Sequence, residues 1–383
     1  MLKTLSKNLF ITIFKNYKIQ ITPIPKIFLL ISDITTFGGI QRVVSNLCNL
    51  LCSYYEITLI SCYKANETLP ATYNFPTNVK IIYFNEIYPD FKLDNFWDKV
   101  KFSYHINQLL PNDSKNILIV NNLLYPFFKK KNTIYIRLFH NSFENAYKKY
   151  LYKKPLFPPR IALFDKLIVL SSKELNHWQK LHKNIEVVPN FLPSMPKESS
   201  PLQSKIVLSV GRMDKGDQKG FFRLIDIWEI AQKDSRFDEW KLHIVGNGLL
   251  KEQIQEKIKT KNFQDSIILK PFTNQIEQEY LKASIYVMTS HFEGFGMVLI
   301  EAESFGLPCI AFDINTGPSD IIENEKSGFL IPDGDLEGYA EKLKALMQNQ
   351  NLRESMGKRA KEIAQEKFSK EAILLKWQKI FDN

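Results

Sequence analysis

The chain has 383 residues, of which 44% are hydrophobic and 13% aromatic, so it can form two domains of ordinary size with packed cores. Its four cysteines include no CxxC pair and its six histidines show no metal-ligand spacing, so neither a disulfide framework nor a zinc site is expected. We therefore expect reduced, buried thiols in a cytoplasmic protein without a bound metal.

The net charge of +10 is unevenly distributed along the chain. Residues 1–190 carry 25 Lys and Arg against 12 Asp and Glu, whereas the remaining residues carry 26 against 29. Basic runs of the first half, such as Lys129–Lys131 and Lys153–Lys154, alternate with aromatic residues. This pattern suits nucleic acid or an anionic membrane surface. Because no nucleic-acid recognition module accompanies the runs, we expect a membrane surface as a partner and no nucleic acid.

Residues 1–25 are interpreted as a basic amphipathic leader. Leu, Ile and Phe recur there at helical spacing, and Lys3, Lys7, Lys15 and Lys18 lie largely on the other face. No stretch approaches the roughly 20 apolar residues of a spanning helix, and the lysines do not fit a signal peptide. The residue pattern of this leader predicts either an in-plane membrane helix or a disordered segment. In the first case the protein would lie on the inner face of the cytoplasmic membrane.

The first block of alternating strands and helices is predicted over residues 26–188, as an N-terminal Rossmann-like domain. The apolar run at 26–32 is typical of a strand buried on both faces, and Gly38 and Gly39 then open a helix that ends near residue 53. This alternation predicts a doubly wound parallel sheet. Further strands are predicted at 57–61, 79–84, 117–120, 133–138 and 167–170, and further helices at 96–110 and 172–182.

A proline-rich segment at 189–204 is predicted to link this block to a second one at 205–366. The second block repeats the alternation, so the fold class is α/β, with two Rossmann-like domains facing a central cleft. Ligands bind at the carboxyl ends of the strands in such folds. Strands are predicted at 206–210, 241–245, 266–269, 284–288, 308–311 and 328–331, and tail helices at 335–348, 351–366 and 369–381.

The segment 290–301, with the sequence SHFEGFGMVLIE, places Glu293 and Glu301 around a turn that opens a helix. Gly294 and Gly296 free the backbone, so that neighbouring N–H groups can point toward one ligand. Bare amides at a helix N-terminus bind phosphate, and carboxylates accept hydrogen bonds from sugar or ribose hydroxyls. On its own the segment could be an ordinary strand–loop–helix joint. Together with the next motif it indicates a nucleotide-sugar site.

Two basic residues follow another predicted strand. Gly211 and Arg212 come directly after the strand at 206–210, and Lys219 and Gly220 lie in a glycine-bearing loop before the next helix. Arg offers a planar fork of donors and Lys a mobile point charge, and both suit a diphosphate. Because the two motifs follow strand ends in the same half of the chain, we expect them to meet at one site.

Together these motifs resemble those of the retaining glycosyltransferases of family 4, also called group 1 glycosyltransferases, which have the two-domain GT-B fold. The resemblance covers nearly the whole C-terminal half. The segments 316–320 and 328–332 are similar to those of members that build bacterial surface polysaccharides. One departure is the loop between Arg212 and Lys219, which is longer than usual because residues 216–218 are inserted. The matching segments are Gly211–Arg212, Lys219–Gly220, Glu293–Glu301, Gly306–Pro308, Thr316–Asp320 and Gly328–Pro332.

The resemblance implies transfer of a hexose or N-acetylhexosamine from a nucleoside diphosphate, most commonly UDP, to a hydroxyl of a glycan acceptor. The acceptor would belong to lipopolysaccharide, capsule or lipid-linked oligosaccharide synthesis, and the anomeric configuration would be retained. The reaction would need no metal and no cofactor beyond the nucleotide-sugar donor. The N-terminal domain, residues 26–188, would bind the acceptor, and a C-terminal helix, residues 367–383, would cross back to it.

The resemblance also implies roles for individual residues. Arg212 and Lys219 would neutralise the leaving diphosphate. Glu293 would hold hydroxyls of the donor sugar, Glu301 would bind the ribose, and His140 would contact the sugar or the reacting centre. The remaining donor-binding positions would be Gly38, Gly39, Gly211, Phe272, Gly294, Phe295, Gly296, Met297 and Val298.

Two alternatives share this architecture. A non-catalytic relative would bind the nucleotide sugar without transferring it, although the full set of charged residues favours an enzyme. A nonhydrolysing nucleotide-sugar epimerase would convert its substrate with no acceptor present, and the fold alone does not separate it from a transferase. No double-displacement nucleophile is assigned. The resemblance instead implies a front-face mechanism, in which the departing phosphate oxygen helps to deprotonate the acceptor.

Overall fold

The computed structural model describes residues 24–66, 71–121, 124–150 and 160–382, which form two parallel β-sheets with helices packed around them. The leader predicted at residues 1–25 lies almost entirely outside the described part of the chain. The strands of both sheets are nearly continuous apolar runs, as expected for strands that helices cover on both faces.

The first sheet is built from β1 (Lys26–Asp33), β2 (Ile57–Tyr63), β3 (Lys80–Tyr83), β4 (Asn116–Val120), β5 (Thr133–Leu138), β6 (Lys166–Val169) and β7 (Ile185–Val187). The spatial order of these seven strands is β3-β2-β1-β4-β5-β6-β7. Every residue of β4 is buried, because this strand lies in the middle of the sheet.

Helices connect the strands of the first sheet. Helix Phe96–Leu109 begins with a capping box. The Asn95 side chain accepts from the Asp98 amide, and the Asp98 carboxylate accepts from the Asn95 amide. The helices of this half are Gly39–Leu51, Phe84–Ile87, Phe96–Leu109, Phe143–Tyr150 and Leu175–Gln179.

The second sheet is built from β8 (Ile206–Val210), β9 (Lys241–Val245), β10 (Ile267–Lys270), β11 (Ile285–Met288), β12 (Cys309–Phe312) and β13 (Gly328–Ile331). The spatial order of its six strands is β10-β9-β8-β11-β12-β13. The helices of this half are Phe221–Gln232, Lys251–Thr260, Ile276–Lys282, Met297–Ser304, Pro318–Ile321, Leu336–Gln348, Gln350–Phe368 and Lys370–Asp382, with a 3-10 turn at Ser235–Phe237.

The strand order reverses once in each sheet. In the first sheet β1 pairs with β2 on one side and with β4 on the other. In the second sheet β8 pairs with β9 and with β11 in the same way. Such a switch point leaves a crevice beyond the carboxyl ends of the strands, where the two outgoing connections diverge. The residues that follow β1, β8 and β11 are therefore the ones placed to bind a ligand.

The last helix, Lys370–Asp382, packs against the first half of the chain. The ring of Phe381 lies edge-on to Tyr55 with centroids 5.3 Å apart, and the Lys115 ammonium donates to the Phe381 carbonyl at 3.3 Å. Trp377 is buried in the same apolar cluster. These contacts tie the end of the chain to the first sheet. The domain boundaries at 188, 204 and 366 stay predictions.

Most predicted strands and helices are confirmed to within one or two residues at their ends. Helix Phe143–Tyr150 and strand β7 are absent from the prediction. The helix does have apolar residues at helical spacing, at positions 143, 146, 147 and 150, which the prediction missed, and the strand has only three residues. The helix predicted at 172–182 is wrong in length. It covers Leu175–Gln179 only, since Ser172 bonds through its amide and hydroxyl to Asp320 instead of starting a helix.

Candidate active site

Two adjoining cavities of about 520 and 700 Å³ lie at the switch points of the two sheets. The first combines residues that follow β1 with residues that follow β8 and with the start of helix Met297–Ser304. The second continues from there toward the ends of β9 and β10. Five residues line both cavities, so the two form one continuous groove: Arg42, Gly211, Arg212, Phe272 and Val298.

The first cavity gathers eight of the sequence-predicted positions: Gly38, Gly39, Gly211, Arg212, Lys219, Phe272, Met297 and Val298. They come from both sheets and from distant parts of the chain. The helix that Met297 begins has no side-chain cap, and Gly296 before it has a φ of 96°, in the left-handed region that favours glycine. The first amides of this helix therefore remain available to an anion at the cavity wall.

Lys219, which lines the first cavity, forms an ion pair with buried Glu293, which lines neither cavity. The Lys219 ammonium lies 2.6 Å from Glu293 Oε1, and the two side chains are 19% and 8% exposed. The same carboxylate oxygen accepts from the Ser290 hydroxyl at 2.6 Å. The Thr316 hydroxyl donates to the Glu293 carbonyl at 2.6 Å, which fixes the backbone of the turn. Both charged groups are thus held in place before any donor binds.

Residues 216–218, which directly precede Lys219, hold it in position. The Asp217 carboxylate accepts from the amides of Phe221 and Phe222 at 2.8 and 3.0 Å, so it caps the next helix. The Gln218 carbonyl accepts from the His291 amide at 2.8 Å, which ties the loop to the glutamate turn. Because Asp217 occupies its amides, this second helix start does not serve as an anion seat.

Gly220 shows why the loop needs glycine directly after Lys219. Its φ is +68°, and a Cβ at this position would lie 1.9 Å from the Thr289 carbonyl oxygen. The left-handed turn and this close approach bring the Lys219 loop against the strand end that carries Glu293.

Arg212 is the most exposed of the predicted charged residues. Its side chain is 77% exposed and lies 3.1 Å from the Asp214 carboxylate, at a position that borders both cavities. It can therefore turn toward an anion in the groove without leaving a buried partner unsatisfied.

Glu301 lies in the second cavity and is bonded through both oxygens. Oε1 accepts from Arg42 at 2.9 Å, and Oε2 accepts from the Tyr280 hydroxyl at 3.1 Å. Tyr280 is buried and its ring stacks on Phe305, so it orients the carboxylate rigidly. Phe272, whose side chain is 70% exposed, forms an open aromatic surface of the same cavity.

His140 lies beside the glutamate turn. Its Nε2 is 2.8 Å from Asn121 Oδ1, and the Asn121 amide nitrogen donates to the Leu30 carbonyl at 3.1 Å. The asparagine oxygen must then accept, so Nε2 carries the proton and Nδ1 is an acceptor. Burial, with a smaller contribution from Arg137, lowers the pKa of His140 to about 3, so the ring stays neutral. A Cβ on Gly294 would lie 2.5 Å from the His140 carbonyl oxygen, which puts this histidine against the turn.

Some predicted donor-binding positions do not face the groove with a side chain. Phe295 is buried and packs edge-on against Phe368, with centroids 5.8 Å apart, so only its backbone could reach a ligand. Gly294 and Gly296 shape the turn by allowing close approach and a left-handed φ.

Several residues that line the groove escaped the prediction. Arg42 lies in the first turn of the helix after Gly38 and Gly39, and its pairing with Glu301 joins the two halves of the chain. A basic residue three positions after a glycine pair was the available signal. Others came from segments without a recognisable pattern: Tyr73, Asn190, Asn247, Thr273 and Asn274.

Two negative findings hold for the part of the chain that the structure describes. It contains no group of three or more His, Cys, Asp or Glu side chains that could hold a metal ion. None of its helices is long and apolar enough to cross a membrane.

The comparisons with known proteins agree with this geometry. The sequence profile of the family described as "Glycosyl transferases group 1" matches residues 192–363. Over 93% of this chain and 99% of the relative, the sequence is 31% identical to the amylovoran biosynthesis glycosyltransferase AmsD of Erwinia amylovora. It is 33% identical to the lipopolysaccharide 1,6-galactosyltransferase of Escherichia coli K12, over 40% of this chain and 42% of that protein.

The fold is also that of solved glycosyltransferases. S. aureus TarM, in a complex with UDP, fondaparinux and α-GlcNAc-glycerol, superposes with a TM-score of 0.74 at 19% identity, over 94% of this chain and all of that one. The likeness of the fold and the full-length sequence match together establish that the chain belongs to the group 1 glycosyltransferases and has their GT-B fold.

Proposed function

We propose that this glycosyltransferase moves a hexose or N-acetylhexosamine from a UDP-sugar to a glycan hydroxyl, with retention of configuration and without a metal ion. The observation that carries the proposal is the continuous groove at the switch points, where two cations, bare helix amides and an oriented carboxylate meet. The UDP in the TarM complex supports the donor nucleotide. The amylovoran and lipopolysaccharide enzymes among the relatives support a surface glycan as the acceptor.

The donor would lie along the groove from one cavity into the other. Its base would stack near Phe272, and its ribose hydroxyls would donate to Glu301, whose oxygens can each accept a second hydrogen bond beside Arg42 or Tyr280. The diphosphate would lie between Gly39 and the helix start at Met297, where a larger side chain than glycine would narrow the cavity.

The transfer step breaks the bond between C1 of the sugar and the diphosphate oxygen. A bond from C1 to the acceptor oxygen forms on the same face, and the acceptor proton passes to the departing phosphate oxygen. Charge builds up on the leaving diphosphate, and Lys219, Arg212 and the helix amides would stabilise it. The protein itself would thus supply the positive charge, in place of a metal ion.

Glu293 and His140 would orient the donor sugar. Glu293 Oε1 is held by Lys219 and Ser290, so the carboxylate can accept sugar hydroxyls at a fixed position. Neutral His140 would accept a hydroxyl through Nδ1, since its Nε2 proton is bonded to Asn121. A fixed sugar exposes one face of C1 to the acceptor, as retention by the front-face route requires.

The transfer reaction is tested with a panel of UDP-sugars and glycan acceptors, by mass-spectrometric detection of product and released UDP. We expect transfer in EDTA, and a loss of about 10²–10³-fold in kcat when Lys219→Ala removes a charge that stabilises the leaving group. Glu301→Ala should mainly raise the donor KM. Lys215→Ala removes an exposed lysine from the same loop and should change neither. UDP binding without transfer would instead indicate a non-catalytic relative, and conversion without an acceptor would indicate an epimerase.

The proposal includes an anionic membrane surface as the place where the acceptor is met. Helix Phe96–Leu109 exposes an aromatic patch formed by Phe96, Trp97, Tyr104 and the neighbouring Phe128, which are 44–69% exposed. Exposed Lys101 lies on the same helix. Aromatic side chains beside basic ones suit the headgroup region of an anionic bilayer.

The membrane contact is tested by sedimentation with phosphatidylcholine vesicles, with and without phosphatidylglycerol. We expect binding only with the anionic lipid, and weaker binding for the double variant Trp97→Ala/Tyr104→Ala. Tyr54→Ala removes a 50% exposed aromatic side chain outside the patch and serves as the control. A further deletion of residues 1–20 shows what the leader adds. Equal sedimentation of the patch variant and the control would contradict this assignment.

A further inference from the structure

A third cavity, of about 400 Å³, shares none of its lining with the donor groove. It lies between helix Phe143–Tyr150, the residues after β6 and the loop after β12. Its aromatic and polar lining consists of Phe143, Tyr147, His177, Glu144, Glu174 and Asn315, with Lys173 at its border.

Two walls of this cavity continue along the chain into the proposed reacting centre. Asn315 on one wall directly precedes Thr316, whose hydroxyl donates to the Glu293 carbonyl at 2.6 Å. Phe143 on the other wall follows three residues after His140, whose carbonyl lies against Gly294. The Asn315 amide donates to Glu144 at 3.2 Å, so the two halves of the chain meet at the cavity. A molecule bound here would have one end beside the donor sugar.

The lining offers aromatic faces that are held in place. The Phe143 and His177 rings stack with centroids 5.3 Å apart, and Phe143 also lies edge-on to buried Trp178 at 5.0 Å. Tyr147 contacts Phe143 at 5.4 Å and is 44% exposed. Fixed aromatic faces beside hydrogen-bonding groups suit a ligand with an apolar face and a polar rim, which is the character of a sugar ring.

The charges favour a neutral ligand that donates hydrogen bonds. Lys173 is already engaged, since it lies 2.6 Å from Asp313 and donates to the Ile314 carbonyl at 3.0 Å. Glu144 accepts from Asn315 at 3.2 Å and Glu174 accepts from the Phe143 amide at 2.6 Å. Both carboxyl groups line the cavity, where negative charge disfavours a phosphate, and their oxygens can accept further hydrogen bonds from sugar hydroxyls. Burial raises the pKa of Glu174 to about 7, so this group is partly neutral at physiological pH and can donate as well as accept.

We propose that this cavity is an acceptor subsite that binds a neutral sugar residue of the glycan, with any anionic part of the acceptor lying outside it. The inference rests on the proposed function and adds to it the place and the charge of the acceptor's reacting end. Tyr147 supplies an aromatic face, and Glu144 and Asn315 accept and donate hydrogen bonds to hydroxyls.

The subsite is tested by saturation-transfer NMR on the full chain with methyl glycosides of glucose, galactose, N-acetylglucosamine and N-acetylgalactosamine. Saturating UDP fills the donor groove during the measurement, and calorimetry measures UDP binding separately. We expect saturation transfer from the protein to at least one of these methyl glycosides. Loss of the aromatic face in Tyr147→Ala should weaken that binding by about 3–10-fold, and Glu144→Ala should also weaken it. Tyr54→Ala should leave it unchanged, and UDP binding should stay the same in all variants.

Two results would overturn the subsite while leaving the donor site intact. The first is normal UDP binding with no saturation transfer, or with transfer that Tyr147→Ala and Glu144→Ala do not reduce. The second is tighter binding of glucose 1-phosphate than of methyl glucoside that depends on Tyr147. A failure of UDP to bind the wild-type chain would instead overturn the proposed function itself.

Discussion

Lys219 and Glu293 lie 2.6 Å apart with little exposure to solvent, so each charge depends on the other for its solvation. A diphosphate in the groove would give Lys219 a second anionic partner, while Ser290 continues to bond Glu293. Lys219 would thus stabilise the folded chain before the donor binds and the leaving group afterwards. A single substitution at Lys219 mixes the two effects, and a double substitution separates them.

We expect Lys219→Ala to lower the free energy of unfolding by about 3 kcal/mol, because it leaves a buried carboxylate unpaired. The double variant Lys219→Ala/Glu293→Gln should recover most of that loss, since no uncompensated charge remains, but it should not recover transfer. Urea denaturation and initial transfer rates measure the two properties. Recovery of transfer in the double variant would show that Lys219 serves only to hold Glu293.

Glu303 is a buried acid outside the groove. It is fully buried in helix Met297–Ser304; Oε1 accepts from the Ser327 hydroxyl at 3.2 Å, and Oε2 has no partner among the described residues. Burial raises the pKa of this carboxyl well above its ordinary value. The folded chain therefore keeps a proton that the unfolded chain releases above a pH of about 4.3.

The sign of the resulting pH dependence follows from that proton. Where the folded state binds more protons than the unfolded state, stability falls as pH rises. Glu303→Gln cannot ionise, so its stability relative to the wild type should be greater at pH 7 than at pH 4. Urea midpoints at several pH values between these limits measure the difference. Glu256→Gln, at an exposed helix position, is the control, and an equal pH profile for both variants would contradict the argument.

At the scale of single elements, the helix Phe221–Gln232 shows how the loop before a helix can supply its cap. Asp217 has a φ of 47°, which asparagine and aspartate tolerate better than most residues, and its carboxylate binds two amides of the helix. The glycine at 220 then turns the chain toward Thr289. The longer spacing between Arg212 and Lys219 is therefore stabilised locally and does not displace the lysine from Glu293.

A substitution series at Asp217 tests this cap. Asp217→Asn keeps the tolerance for positive φ but only one of the two accepting oxygens, so it should cost less than about 1 kcal/mol in the free energy of unfolding. Asp217→Ala loses the acceptor and should cost about 1–2 kcal/mol in the free energy of unfolding. UDP affinity, measured by calorimetry, should fall for the alanine variant only, because the Lys219 loop loosens. Equal UDP affinity in both variants would mean that the cap does not position Lys219.

The sequence predicted the two sheets well, for a physical reason. Strands such as β4 and β8 are short apolar runs between polar turns, which is the pattern that burial on both faces demands. Strand β7 has only three residues, too few to show a pattern. The start of helix Leu175–Gln179 depends on the bonds between Ser172 and Asp320, which lie 148 residues apart along the chain.

The groove was only partly predictable. Lys219 and Glu293 stand next to glycines in loops that follow strands, and Glu301 lies in the helix that the glycine turn opens, so local pattern identified them. Arg42 acquires its place through Glu301, on the other half of the chain, and Phe295 turns inward to meet Phe368. Such choices depend on how the two halves pack, and no local pattern records that packing.

At the scale of the whole molecule, the two halves meet through different contacts on opposite sides. On the side of the linker and the last helix, a continuous apolar cluster includes Phe191, Leu192 and Trp377. On the cleft side the contacts are polar. Arg42 pairs with Glu301, Lys173 pairs with Asp313 at 2.6 Å, and the hydroxyls of Ser171 and Ser172 bond Asp320. We call these polar contacts the clasp. Apolar packing on one side and a polar clasp on the other can allow the cleft to open and close.

Weakening the clasp should therefore open the cleft without unfolding either half. We expect Asp313→Ala/Asp320→Ala to increase the radius of gyration in small-angle X-ray scattering without donor, and saturating UDP to reverse part of the increase. High salt should act in the same direction on the wild type, since it screens the exposed ion pairs. Glu239→Ala removes a surface pair with Lys205 inside one half and should leave the radius unchanged. An unchanged radius in the clasp variant would mean that the apolar side alone fixes the closed arrangement, and donor exchange would then need a different opening.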